Sequence, residues 1–493
     1  MIHKASRKTL GFLKSDLGVR FVAEGFVRSN AFILTPLLSW SLGAAVFGSY
    51  LQIMSLSFAF VPLVSAGLGF TLIRKLAGHS DSSDAPRLLV AAITIVSILC
   101  LILVVILALA IEEIATYLSL VSIQNADWLI FAIPVLAWLF AIEALIGEYL
   151  RAMIKARKSL YAQIAGFAIQ MLLIAVILTF GRLSLETALF AIAAAKFSVI
   201  LCLLTPELIR LSRFDHSRNR SNLLQVSISG LPFMLAGLAE WAGNLGDRLI
   251  VGRFLGAEAV AQYGASIMIL SILSALGAPI WWLLFPKISG HVRRGEIDDC
   301  CHVAKCHTML FAELALPALA LAILIVNPAV SILLNSQVGN LTPVIIVAGF
   351  AILTSQMTTG WEYYLVSISS GKRLMSAAIS CSLLGFITAW QLAPIWGLTG
   401  IACGILLGKL CLAAFFGITA NRNGFDGWAW PFAKIAALSC TNSLSLIATY
   451  WLVQGLTQSL PPIYEIAITL LIYTIIYGAG RLLLKPALPL PSV

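Results

Sequence analysis

Hydrophobicity along this chain comes in long blocks rather than in alternation. Fourteen apolar runs fall near 18–42, 47–72, 87–110, 127–150, 159–180, 185–206, 223–251, 258–285, 304–326, 341–367, 374–393, 397–419, 431–454 and 463–483. Each is close to the roughly 20 residues a helix needs to cross the bilayer hydrocarbon. The pattern predicts an all-α polytopic membrane protein of about fourteen transmembrane helices. No segment between runs is long enough for a soluble domain.

The charges follow the same count. Lys4, Arg7, Lys8 and Lys14 precede the first run, and Arg74, Lys75 and Arg87 follow the second. The same side then receives Arg151, Lys155, Arg157 and Lys158, later Lys287, Arg293 and Arg294, and last Arg481 and Lys485. Glu112, Glu113 and Asp127 lie on the other side, with Arg182 and Arg253 as its basic exceptions. By the positive-inside rule, both termini are expected on the cytoplasmic side of the membrane. Met1 to Ser15 is too polar for a signal-peptide core, so the first run is expected to be retained.

Composition sharpens this. The chain is 60% hydrophobic and 11% charged, against about 45–50% and about 25% for soluble domains. A net charge of +10 would suit nucleic acid, but its place in short loops points to the lipid bilayer and to no nucleic-acid partner. The nine cysteines are scattered, with Cys202, Cys403 and Cys411 inside apolar runs, and no structural disulfide is expected. The tract from Cys300 to His307 looks metal-like but lacks a second ligand pair at zinc-finger spacing, so packing is the expectation and no metal. Neither a G-x-x-x-x-G-K-[ST] loop nor a G-x-S-x-G elbow is present. ATP hydrolysis is therefore not expected of this chain, nor is an enzyme or a cofactor.

The chain also repeats itself. Leu42-Gly43-Ala44 and Tyr50 return 213 residues later as Leu255-Gly256-Ala257 and Tyr263, and Lys196 returns as Lys409. Tyr149 with Arg157-Lys158 returns at nearly the same shift as Tyr364 with Lys372-Arg373. A unit of six helices brings the chain back to its starting side, so the halves are parallel, as in transporters whose two bundles rock about a central site. The expected division is 1–17 (basic cytoplasmic N-terminus), 18–206 (helices 1–6), 207–222 (cytoplasmic linker), 223–420 (helices 7–12) and 421–493 (helices 13–14 and cytoplasmic tail).

Several stretches resemble polysaccharide-biosynthesis flippases of the multidrug/oligosaccharidyl-lipid/polysaccharide exporter superfamily. They are Gly43 to Arg74 with Pro62 and Gly67-Leu68-Gly69, and Asp247-Arg248 through Gly256, Tyr263, Phe285-Pro286 and Ser289. Gly397-Leu398-Thr399-Gly400-Ile401-Ala402 is a third. The resemblance covers roughly 18–420. It implies two MATE-like six-helix lobes around a V-shaped cavity. It also implies transport of a polyprenyl-pyrophosphate-linked oligosaccharide to the outer leaflet for surface polysaccharide or exopolysaccharide biosynthesis, alongside polymerase and export machinery. A MATE-type drug/cation antiporter and a membrane glycosyl polymerase or ligase are the alternatives.

Charges inside the apolar runs are the candidate site, because each is costly in hydrocarbon. Glu24 and Arg28 share one face of the first helix with Arg20, which can equally mark the interface. Glu240, Asn244 and Asp247 share a face of the seventh, with Arg248 beside them; an internal Asp247–Arg248 clamp is the structural alternative. Lys196 and Lys409 lie mid-run, where the alternative is snorkelling. Arg28, Arg248, Lys196 and Lys409 would balance a pyrophosphate, and Glu24, Glu240 and Asp247 would temper them. Glu148 is placed to pair with Arg151. Glu143 and Glu362 are the candidates for coupling to a proton or sodium gradient, with the membrane potential as the other drive. Pro62, Pro134, Pro232, Pro279 and Pro317 mark expected bends.

Overall fold

Long apolar runs in lipid satisfy their own backbone hydrogen bonds by forming helices, and the described runs do so. The computed structural model describes residues 33–76, 85–111, 113–114, 126–153, 156–181, 183–212, 223–368, 372–425, 432–457 and 461–484. Among these there is no strand. The helices are α1 (Ile33–Leu42), α2 (Ala44–Ser65), α3 (Leu68–Leu76), α4 (Ala85–Leu109), α5 (Ala126–Ala152), α6 (Ala156–Phe180), α7 (Leu185–Ser212) and α8 (Leu223–Asn244). They continue as α9 (Asp247–Leu255), α10 (Ala257–Arg294), α11 (Ile297–Leu334), α12 (Thr342–Met357), α13 (Thr359–Ile368), α14 (Lys372–Arg422), α15 (Phe432–Thr457) and α16 (Pro462–Leu484).

Eleven helices among the described residues are long and apolar enough to cross a membrane. One of them, α14, is two runs parted at Gly397 by a non-helical φ of 57° and ψ of −136°, and the second folds back along the first, Gly404 packing on Ala389 and Gly408 on Gly385. With α1 and α8 added, every one of the fourteen predicted runs holds a helix, the first described only from Ile33. The breaks are what hydropathy did not show. The second run splits at Ala66-Gly67 (φ 46° and 67°), the seventh at Leu245-Gly246 and the tenth at Thr358. A break leaves mean hydropathy unchanged and alters only where backbone hydrogen bonds go.

By contact the chain divides into Met1–Val260 and Ala261–Val493. In the first unit α5 is central, packing on α2, α3, α4 and α7, with Ile130, Ile133, Ala137 and Ala141 fully enclosed. The seventh run, α8 and α9, belongs to this unit because it lies along α2. In the second unit α11 is central, packing on α12, α15 and α16, while α12 and α13 pack on α14.

The repeat is visible in local solutions. Gly43 before α2 has φ 79° and ψ 159°, and Gly256 before α10 has φ 85° and ψ 173°. That region is essentially glycine-only, so the repeated Leu-Gly-Ala encodes one sharp turn used twice. The repeated tyrosines also do one job. Tyr149 donates to Glu207 Oε2 at 2.9 Å at the end of α7, and Tyr364 donates to the Asn423 carbonyl at 2.6 Å just past α14. In each half a buried hydroxyl thus ties the fourth helix to the end of the sixth.

Candidate functional site

The seventh run carries the candidate charges, and its break decides how they lie. At Leu245-Gly246 both backbone N–H groups turn back to the Trp241 carbonyl, at 2.8 and 3.0 Å. The Leu245 carbonyl, left with only a long 3.4 Å bond from the Arg248 N–H, accepts the Ser55 hydroxyl of α2 at 2.6 Å. Trp241 Nε1 returns the contact by donating to the Ser55 carbonyl at 2.8 Å. A bare carbonyl would be expensive in hydrocarbon, so Ser55 stabilises the break.

Glu240, Asn244 and Asp247 therefore do not form one continuous face. Glu240 and Asn244 are exposed, whereas Asp247 is buried at the start of α9. The cause is the break, which interrupts the helical register the spacing assumed. Asp247 Oδ1 accepts the Arg248 backbone N–H at 2.8 Å and Arg248 Nη1 at 3.2 Å. Arg248 Nη1 also lies 3.3 Å from the Asn244 carbonyl. The clamp between Asp247 and Arg248 thus forms, and it holds the guanidinium over the gap between α8 and α9.

Along its whole length this run lies antiparallel to α2, at backbone-contact distance. A methyl built on Gly67 would overlap the Gly230 carbonyl oxygen, and one on Gly230 would overlap that of Ala66. One on Gly237 would press Pro62 at 3.0 Å, and one on Gly48 would overlap the Ala257 carbonyl. Between these, Gly252 lies flat on the Gln52 amide. Gln52, Ser55 and Trp241 carried no signal as single residues. Glycines recurring at 230, 237 and 252 opposite 48 and 67 could have revealed the seam.

The second charged feature joins α5 and α7. Lys196 Nζ contacts Glu143 Oε2 at 2.7 Å and Oε1 at 3.0 Å, with both side chains mostly buried. The ammonium lies 5.7 Å from the Phe140 ring centre, and Phe140 stacks on Phe58 of α2 at 4.6 Å. Glu143 and Lys196 were separate candidates in the sequence; the fold makes them one ion pair. Glu148 pairs with Arg151 at 3.2 Å, as its spacing suggested. Lys409 is half-buried in α14. Glu362, read as a buried acid, is exposed on the first turn of α13, because the break at Thr358 starts a new helix there. Glu24 and Arg28 lie outside the described residues.

The Cys300–His307 tract does not converge. Cys300, Cys301 and His307 face the packed side of α11, His307 Nδ1 lying 2.8 Å from the Val303 carbonyl, while His302 and Cys306 share another face at 3.6 Å. Metal-ligand spacing occurs instead at His291, Glu296 and Asp299 in the turn between α10 and α11. There Arg294 already supplies the positive charge, donating to Glu296 Oε2 at 2.8 Å. That bond, with His291 at the same oxygen, holds the Glu296 carboxyl below the usual range.

The family model for polysaccharide biosynthesis proteins matches residues 13–291, more than half of the chain. The chain belongs to that family. No curated protein matches it. Among solved structures, the lipid II flippase MurJ in an inward closed conformation is 13% identical, with a TM-score of 0.65 over 94% of this chain and 98% of its own. A multidrug resistance MATE transporter of the MOP superfamily, inward-facing, is 15% identical, with a TM-score of 0.60 over 83% and 98%. A Vibrio cholerae MATE transporter variant is 17% identical, with a TM-score of 0.55 over 82% and 95%. This member of the polysaccharide biosynthesis family has the fold these transporters share.

Proposed function

We propose that the protein flips a polyprenyl-pyrophosphate-linked oligosaccharide from the cytoplasmic to the outer leaflet by alternating access, for surface polysaccharide biosynthesis. The observation that carries this reading is the family match across residues 13–291. The fold comparison adds support. The flippase covers 94% of the chain, and the two MATE transporters cover 83% and 82%. Residues 421–493 are roughly a seventh of the chain, too many for the flippase alignment to omit entirely.

The physical task is to carry a diphosphate and sugars past hydrocarbon, where an isolated charge costs tens of kcal/mol. A polar route between helices removes most of that cost and lets the lipid tail stay in the bilayer. Arg248 suits a phosphate because its planar fork can make paired hydrogen bonds, and its contacts to Asp247 and Asn244 engage only Nη1 of the guanidinium. Lys196, held by Glu143, supplies a neutralised pair that exchanges partners when an anion arrives. An inside-negative potential of 100 mV favours export by about 2.3 kcal/mol per negative charge, and an ion gradient acting through Glu143 or Glu362 would add to it. Chemistry on the substrate is not part of the task, and the protein is read as a transporter in the inner membrane with both termini cytoplasmic.

The test is reconstitution into vesicles with a fluorescent polyprenyl-diphosphate sugar. Translocation is expected, and Arg248→Ala is expected to slow it at least tenfold while the protein still accumulates. Export of organic cations, with no movement of the lipid-linked sugar, would instead favour the antiporter.

A further inference from the structure

Gln52 is the most anomalous polar group among the described residues. Its side chain is fully enclosed in α2, and neither its amide nitrogen nor its oxygen has a hydrogen-bond partner. Its polar neighbours on the helix are satisfied: Ser49 bonds the Ala45 carbonyl at 3.3 Å, Ser55 the Leu245 carbonyl at 2.6 Å and Ser57 the Ile53 carbonyl at 2.8 Å. An apolar residue of the same size would fill the space without the cost of a dry, unbonded amide. The neighbouring helix has been shaped around the amide instead, since even one methyl on Gly252 would overlap its oxygen.

Ser49, Gln52 and Ser55 sit three residues apart, on one face of α2, and Gln52 and Ser55 both meet the seventh run. Such a face cannot open onto lipid, where nothing replaces lost hydrogen bonds. It can open onto water or a polar substrate. A primary amide offers two N–H donors and an acceptor, which matches sugar hydroxyls, themselves both donors and acceptors. A phosphate, all acceptors, matches the nearby Arg248 better.

We propose that Gln52 is a substrate-contacting residue, hidden against Gly252 in this state and presented to the sugar hydroxyls of the head group when α2 and α9 part. This rests on the flippase reading for its ligand. It goes beyond that reading in naming the residue and the seam that covers it.

Two measurements test it, in a background with the nine native cysteines replaced. Gln52→Cys, exposed to a membrane-impermeant thiol reagent in intact cells and in inverted vesicles, is expected to label from at least one side. Oxidising a Ser55→Cys/Leu245→Cys pair across the seam is expected to abolish that labelling. Gln52→Leu is expected to slow translocation of the lipid-linked sugar at least tenfold with a melting temperature equal to or above the parent's; Gln52→Met replaces it if Gln52→Leu does not accumulate. Translocation at the parent rate in the apolar variant overturns the proposal. So does a Gln52→Cys that never labels in protein that still transports. Labelling needs no knowledge of the substrate. A parent protein that moves no lipid-linked sugar yet labels at position 52 therefore counts against the flippase reading and leaves the opening seam standing.

Discussion

At the scale of single residues, the fold turns isolated charges into pairs. Lys196 and Glu143 stand 53 positions apart, and nothing in the local sequence of either names the other. Each in its own helix looked like a cost. Together, with Phe140 against the ammonium, they meet most of each other's desolvation. Removing one partner leaves the other charged in apolar surroundings, and the pair is too enclosed for water to compensate fully. Lys196→Met or Glu143→Leu alone is expected to lower stability by about 1–3 kcal/mol, less than the 3–5 typical of fully buried pairs. The double variant is expected to be no worse than either single. Thermal unfolding of the four proteins checks this as a cycle; additive losses would mean that the contact contributes nothing. The clamp between Asp247 and Arg248 was more legible, because adjacent residues of opposite charge need no fold to bring them together.

At the scale of helices, hydropathy placed all fourteen runs, because burying a helix in lipid depends on little beyond length and apolarity. It could not place the breaks. The second and seventh runs stay apolar through Ala66-Gly67 and Leu245-Gly246, and at the seventh the break is supported by a donor on another helix, Ser55. The seam between these runs rests on glycines that tolerate different amounts of intrusion. At Gly230 an added methyl would meet the Ala66 carbonyl, a backbone atom in the turn that ends α2 and cannot step aside as a side chain can. At Gly252 it would meet the end of a side chain that can rotate. Gly230→Ala is therefore expected to cost about 1–3 kcal/mol, the range for overpacking, and Gly252→Ala distinctly less. Melting temperatures in detergent decide the order. If the Gly252 variant proves the weaker, the α2 contact does not run as close at Gly230 as this geometry requires.

At the scale of the molecule, the last two helices could be taken from the sequence as an addition to a twelve-helix core. Their contacts in the second unit tell against independence. Asn442 of α15 donates to the Leu316 carbonyl of α11 at 2.7 Å, and Tyr473 of α16 hydrogen-bonds the Asn442 side chain. Arg481 reaches Glu313 of α11 at 2.7 Å, in a pair whose carboxylate side is almost wholly enclosed. A chain ending after Arg422 would leave Glu313 without its cation and the Leu316 carbonyl without its second donor. Such a chain is expected to give little monodisperse protein. The same cause should act in the intact chain, where Arg481→Ala is expected to cost about 3 kcal/mol, the lower end for breaking a buried pair. If the exposed acid is the fault, Glu313→Leu in the shortened chain should restore part of the yield, since an apolar side chain needs no partner. Failure of that rescue would assign the loss to the apolar surface that α15 and α16 cover. A shortened chain as stable as the whole would show that the two helices are dispensable to the unit, and that the buried network between α11, α15 and α16 holds them in place without holding the unit together.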